Sequence, residues 1–449
     1  MGKLKNLFGT IFTSKNTNAC FAPFQSMRFN HSGNVLACCF NRGNILGKFP
    51  EQSLEEIWFG SNVKNLQNAI SKNDFSLGCQ ACEKYIACGN REMSGASQYD
   101  YLKLQKQYKK YPTMLDFELG STCNFECIMC SGEYSTAIRA NREKKSPYYS
   151  PYENNVELFV SQLIPFIPHL QEMRFIGGEP FLMKVYYGIW DKVIELNPNI
   201  TLNVLTNGSI LNKRVQTMLE KGNFKISVSI DSLVKTTYEK IRINGDFDKV
   251  MSNVSFFHKL IQERGHIMNF NLCVMRQNWQ EIPDYFNYCN QNNIKVILHT
   301  VEFPVHCSLW NLPEKELKKI DDFYLSSTIF DTSTFVSEDN KITFEGLKKQ
   351  ISSWYLKAMS TKKQDNKNLE ELKELFLNKI KENDSELVID SDFYYNFIIK
   401  TTELFSTKEQ IKLLKFLNQI DTHLILDEVN VSSEERIIER FKVVLNNRH

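Results

Sequence analysis

The chain has 449 residues, 42% of them hydrophobic and 24% charged, the composition of a globular protein with a sizeable core. Lysine plus arginine exceed aspartate plus glutamate by 54 − 52 = 2, so no global basic field argues for a nucleic-acid partner. No stretch reaches the ~18 to 20 apolar residues of a bilayer span, and the N-terminus, MGKLKNLFGTIFTSKN, carries neither a convincing signal-peptide core nor a myristoylation signal, because Asn6 stands where serine or threonine is wanted. The expectation is a cytoplasmic protein with no membrane and no nucleic-acid partner.

In chain order, the first region is rich in cysteine. CFAPFQSMRFNHSGNVLACC holds Cys20, Cys38 and Cys39, and LGCQACEKYIAC holds Cys79, Cys82 and Cys88. A reducing compartment disfavours structural disulfides, so clustered cysteines there bind metal or do chemistry. From Pro112 onward short strand-like runs alternate with helical ones. TMLDFEL (113–119) leads into a cysteine loop, EMRFI (172–176) into Gly-Gly-Glu-Pro, and TLNVLT (201–206) into Asn-Gly-Ser; FKISVSID (224–231), NFNLCVM (269–275) and KVILHTV (295–301) follow. VYYGIWDKVIEL and DKVMSNVSFFHKLIQE, between them, place apolar residues at helical spacing. Alternation of this kind predicts a parallel sheet or barrel, and six units are too few for a closed eight-fold one, so a partial barrel is expected.

Several of these strands alternate in polarity. Asp116 and Glu118 oppose Leu115, Phe117 and Leu119; Ser227, Ser229 and Asp231 oppose Val228 and Ile230; Asn269, Asn271 and Cys273 oppose Phe270, Leu272 and Val274. The apolar sets can pack under helices while the polar sets line a lumen fit for a ligand. Beyond Pro313 the sequence turns rich in Lys, Glu and Asn, with helices expected at NLEELKELFLNKIKE and EQIKLLKFLNQI and no catalytic motif. The expected division is 1–105, 106–305 and 306–449.

CNFECIMC places Cys123, Cys127 and Cys130 within eight positions. A structural zinc site takes four ligands, usually as two pairs, and a disulfide leaves one cysteine over. Three thiolates with no fourth nearby suit a metal centre with one position kept open. This Cys-x3-Cys-x2-Cys loop after the first strand, with Gly-Gly-Glu-Pro after the second, resembles the radical SAM superfamily over roughly residues 112–305. The resemblance implies an α/β fold, a partial (β/α)6 TIM-type barrel. It also implies that Cys123, Cys127 and Cys130 hold a four-iron cluster whose free iron binds S-adenosylmethionine.

By the same resemblance Gly177, Gly178, Glu179 and Pro180 approach the methionyl end of that cofactor, with the Glu179 carboxylate on its ammonium group. Ser229 and Asp231 sit where ribose contacts are kept, Asn207 is a lumen residue, and Met129 packs on adenine where an aromatic is common. Asp231 and Cys273, on polar strand faces, are the candidate catalytic residues; otherwise Cys273, Cys289 and Cys307 read as small buried hydrophobes.

The N-terminal spacing, Cys20-x17-Cys38-x40-Cys79-x2-Cys82, resembles the Twitch module, a shortened relative of the SPASM domain, here ahead of the barrel. It implies a small α+β domain in which those four cysteines hold an auxiliary four-iron cluster. Cys39, next to Cys38, is expected to point the other way, and Cys88 lacks a partner because Glu92 stands where the longer pattern has cysteine.

The function implied is reductive cleavage of S-adenosylmethionine to a 5′-deoxyadenosyl radical that takes hydrogen from a peptide or small metabolite. The auxiliary cluster accepts an electron, and a flavodoxin or ferredoxin supplies the reductant. The alternative is a non-catalytic iron–sulfur electron-transfer or metal-binding protein.

Overall fold

The computed structural model describes residues 19–87, 91–103, 110–361, 367–384, 391–420 and 422–446. Its centre is one sheet built from β1 (Ser26–Phe29), β2 (Asn34–Leu36), β3 (Gly47–Lys48), β4 (Met114–Phe117), β5 (Glu172–Phe175), β6 (Thr201–Thr206), β7 (Phe224–Ser229), β8 (Asn269–Val274) and β9 (Lys295–Thr300). The strand order is β3-β2-β1-β4-β5-β6-β7-β8-β9. All six strands expected between 112 and 305 are present, in register as parallel neighbours from β4 to β9. The fold is a partial barrel with helices outside it.

The cysteine-rich N-terminal region joins the same sheet. β1 runs parallel to β4, pairing Arg28 with Asp116 and Phe29 with Phe117, and β2 and β3 add antiparallel strands beyond it. The hydrogen-bonded sheet therefore crosses the 105/106 boundary drawn from sequence.

Alternation along the strands decides what faces where. Leu202, Val204, Phe224, Ile226, Val228, Phe270 and Leu272 are buried under the helices. Trp190, on the helix Lys184–Leu196, fills the space between sheet and helix, its ring centroid 5.4 Å from Phe175 and 5.5 Å from Phe224. The opposite, half-buried face carries the polar set. Register aligns Arg28, Asp116, Arg174, Asn203 and Lys225 across five strands. At the N-terminal end of the barrel, Tyr101 donates to Glu172 at 2.7 Å, and Arg174 donates to the other Glu172 oxygen at 2.6 Å. These contacts lie at the opposite end of the strands from the cysteine loop, which leaves β4 at its C-terminal end.

After Pro313 the chain is helical, as expected, including Leu369–Asp384 and Thr407–Gln419. Two packing units result. Helices Glu314–Ser326 and Phe335–Thr361 add Ile320, Tyr324, Phe344, Leu347 and Ile351 to the barrel core. The later helices form their own core around Leu372, Phe376, Leu413 and Phe441. Among the described residues no helix is long and apolar enough to cross a membrane.

Candidate functional site

The cysteine loop leaves the C-terminal end of β4 and is held from both sides. Ser135 donates to the Phe125 carbonyl at 2.6 Å, and Thr136 exchanges hydrogen bonds with the Cys123 backbone at 3.1 and 3.2 Å. Glu126, buried, accepts from the side chains of Asn141 and Asn244 at 2.8 and 2.9 Å. The Glu126 N–H donates to the Ile243 carbonyl and the Ile128 N–H to the Ile241 carbonyl, both at 2.9 Å. Cys127 is thereby set opposite Arg242. Burial pushes the Cys123 thiol up to about 11 and the Cys130 thiol up to about 12, with neighbouring sulfurs adding to the effect at Cys130. Burial also raises Cys127, opposed by the Arg242 guanidinium. These are protonated thiols until a metal takes the proton's place.

Three successive strand-end loops are knitted around them. The Glu179 N–H donates to the Thr122 carbonyl at 2.7 Å, tying Gly-Gly-Glu-Pro to the cysteine loop. The fully buried Glu179 carboxylate accepts from the Asn207 N–H at 2.6 Å, the Thr206 hydroxyl at 2.7 Å and the Phe181 N–H at 3.1 Å. Burial lifts its carboxyl to about 7 despite those donors. Asn207 donates through Nδ2 to Asn124 at 3.0 Å, with the Cys123 sulfur 3.9 Å away. Gly177 and Gly178 both have positive φ, and a Cβ on Gly178 would lie 2.4 Å from the Thr122 carbonyl oxygen. The glycines are thus required by close packing against the cysteine loop itself. Pro180 starts a 3-10 turn, Pro180–Leu182, that the Glu179 side chain caps.

The remaining expected residues fall at the ends of β7 and β8. Ser229 is half-buried on the lumen face, beside Asn271 in register. Asp231 is fully buried: its Oδ2 lies 2.7 Å from Arg242, its Oδ1 accepts the Cys273 N–H at 2.9 Å, and its carbonyl accepts from Asn278 at 2.6 Å. Burial raises its carboxyl above the usual range, against the pull of Arg242. Cys273 faces the lumen beside His299 in register, its thiol pushed well up by burial, and it packs with Met129 around Ile241, Met275, Val301 and Cys307.

In the N-terminal region Cys20, Cys38, Cys79 and Cys82 line one cavity, together with Ala37, Phe75, Ala96 and Tyr99. Burial raises all four thiols, Cys20 to about 11 and Cys79 to about 12. Asn41 donates to the Cys79 sulfur at 3.2 Å. Cys39 lines a different space, a cleft shared with Arg28, Arg42 and Glu118. Cys88 lies outside the described residues. Among the described residues no group of three or more His, Cys, Asp or Glu side chains closes on a single metal ion. The four N-terminal cysteines line a cavity and do not converge on a point.

Comparison with known proteins agrees with this geometry. Residues 117–289 match the model of the radical SAM superfamily, and residues 20–83 match SPASM, an iron–sulfur cluster-binding domain. The chain therefore carries a radical SAM domain preceded by a SPASM-type cluster-binding domain. It is 22% identical to GTP 3′,8-cyclase of Limosilactobacillus fermentum over 43% of this chain and 55% of that protein. It is 25% identical to a probable GTP 3′,8-cyclase of Methanocaldococcus jannaschii over 42% of this chain and 58% of that one. This radical SAM chain thus spans little more than half the length of those relatives. Among solved structures, Streptococcus suis SuiB bound to S-adenosylmethionine aligns with it at 14% identity and a TM-score of 0.35, covering 60% of this chain and 59% of that one.

The two domains imply 4Fe–4S clusters and S-adenosylmethionine as cofactors of this enzyme. The residues present fit them: two sets of soft sulfur donors, three on the loop after β4 and four lining the N-terminal cavity. Sequence reasoning missed Arg242 and Arg28. Arg242, in KIRING, carries no motif signal. Arg28 did carry one, because in SMRF it alternates with Met27 and Phe29 and belongs on a lumen face. It donates to Asp116 at 2.7 Å and also pairs with Glu118, filling the polar face of β4.

Proposed function

We propose that this radical SAM enzyme binds its cleaving cluster through Cys123, Cys127 and Cys130, and an auxiliary electron-accepting cluster through Cys20, Cys38, Cys79 and Cys82. The observation that carries this reading is the knot of strand-end loops, in which Glu179 and Asn207 tie the loops after β5 and β6 to the three-cysteine loop after β4. When bound there, the cluster and S-adenosylmethionine supply a 5′-deoxyadenosyl radical that takes hydrogen from an unactivated C–H bond.

The chain's own residues orient and shield. Asn207, Ser229, Met129 and the Gly177–Gly178 backbone are assigned to the cofactor. Glu179 was expected to meet its ammonium group; since the carboxylate is fully buried and already accepts three protein hydrogen bonds, we assign it to holding the loop. Asp231, expected to react, is committed to Arg242 and the Cys273 N–H, and we assign it a positioning role. Cys273 remains the lumen-facing candidate for contact with substrate. The apolar group around Met129 keeps water from that side of the lumen.

The substrate is a peptide or small metabolite. The similar cyclases are named for GTP, a small molecule. An electron donor of the flavodoxin or ferredoxin type is required. The test is anaerobic reduction of the reconstituted enzyme with S-adenosylmethionine. 5′-Deoxyadenosine should form, and replacing Cys123, Cys127 and Cys130 by alanine should abolish it. No product from the iron-loaded wild type would favour a non-catalytic electron-transfer protein.

A further inference from the structure

Arg242 caps the C-terminus of the helix Lys235–Ile241 and is fixed on both sides by the backbone bonds from Ile128 to Ile241 and from Glu126 to Ile243. Its guanidinium turns back toward the loop. One arm, NH2, lies 2.7 Å from Asp231 Oδ2, and the other, NH1, points at the Cys127 sulfur at 3.8 Å, a length suited to the larger acceptor. The side chain is 9% exposed and that of Asp231 is fully buried. A guanidinium serving only as counter-ion to Asp231 would present both arms to the carboxylate, the geometry arginine is suited to. Here the fork is divided between a carboxylate and a sulfur.

We propose that Arg242 is a positioning residue that sets the reduction potential of the barrel cluster by donating to the Cys127 sulfur, with Asp231 holding the guanidinium in that direction. The inference rests on Cys123, Cys127 and Cys130 being the ligands. The physics is that of a fixed cation and an N–H donor beside a ligand sulfur. Reduction adds a negative charge to the cluster, and a buried positive charge a few ångströms away favours that state with little screening by water or salt. Hydrogen bonds to cluster sulfurs act in the same sense. Asp231 contributes the opposite sign, so the two residues pull the potential in opposite directions. The Asp231 link to the Cys273 N–H fixes the pair to the end of β8, where a substrate would sit.

The experiment is an EPR-monitored redox titration of the reconstituted holoenzyme, following the signal that changes when S-adenosylmethionine is added. Arg242→Gln should make that cluster about tenfold harder to reduce at a fixed potential, about 59 mV for a one-electron couple. Arg242→Lys, which keeps the charge and loses the fork, should fall between wild type and Gln. Asp231→Asn should shift the midpoint the other way, and the auxiliary signal should stay in place in all three. An unshifted midpoint in Arg242→Gln with iron retained overturns the proposal. So do shifts of the same sign in Arg242→Gln and Asp231→Asn, which would report loosening of the site. If Arg242→Gln fails to hold iron, the Lys and Asn variants decide by the same signs. A wild type with no signal responsive to S-adenosylmethionine instead overturns the ligand assignment beneath it.

Discussion

The two cysteine sets are built by opposite means. Cys123, Cys127 and Cys130 come from one loop of eight residues, and the fold adds support from outside: a backbone clamp from residues 241 and 243, and Asn207 from the end of β6. Cys20, Cys38, Cys79 and Cys82 come from segments far apart in sequence, and the fold has to assemble the site itself, through the β1–β2 pairing and the helix Gln80–Ala87. Their surroundings differ accordingly. The loop cysteines meet Arg242, Asn207 and the polar lumen, whereas the N-terminal four line a cavity walled by Ala37, Phe75, Ala96 and Tyr99. On the proposed assignment, three local donors would leave room for a reacting ligand, while four donors gathered by the fold would close a centre on itself and suit it to carrying electrons.

Breaking the gathered set should have the largest effect. Replacing Cys79 and Cys82 by alanine should lower iron from about eight to about four per chain, since each cubane cluster holds four. Cleavage of S-adenosylmethionine should continue while turnover of substrate stops; iron and 5′-deoxyadenosine assays check both. Next comes the joint between the two regions. Arg28→Met leaves Asp116 and Glu118 buried without their cation, which should cost about 3–5 kcal/mol of stability, read from urea unfolding of the apo-protein at pH 7. Adding Asp116→Asn and Glu118→Gln should restore much of the loss.

The smallest effect concerns Glu179. Its carboxyl sits at about 7 in the fold against an ordinary 4.5, because burial disfavours the charge. A folded value above the unfolded one gives a contribution that is complete below about 4.5 and is lost as pH rises through about 7. Wild-type apo-protein should therefore lose up to about 3 kcal/mol relative to Glu179→Gln across that range. A flat difference curve would show that the carboxylate ionises without cost and that its burial is relieved in solution.

What the sequence revealed follows the same division. The six barrel strands were legible because each carries its own two-residue alternation, and the three-cysteine loop because its spacing is local. The N-terminal strands were not: β2 and β3 span three and two residues, too short to show a period, and their place beside β4 is a long-range pairing. Arg242 escaped for a related reason. Its partners Cys127 and Asp231 are distant in sequence, and only the backbone clamp from Glu126 and Ile128 makes them neighbours. Helix Phe335–Thr361, polar in composition, still buries Phe344, Leu347 and Ile351 in the barrel core, a long-range packing that its own sequence does not announce.

The central claim is that one cysteine set leaves its cluster open and the other closes it. The direct measurement is EPR of the reduced, reconstituted enzyme before and after addition of S-adenosylmethionine, in the wild type and in each cysteine variant. The account predicts two cluster signals, of which one changes with S-adenosylmethionine. That responsive signal should persist without Cys79 and Cys82 and disappear without Cys123, Cys127 and Cys130. A responsive signal that survives loss of the three loop cysteines, or two signals that both respond, would contradict it.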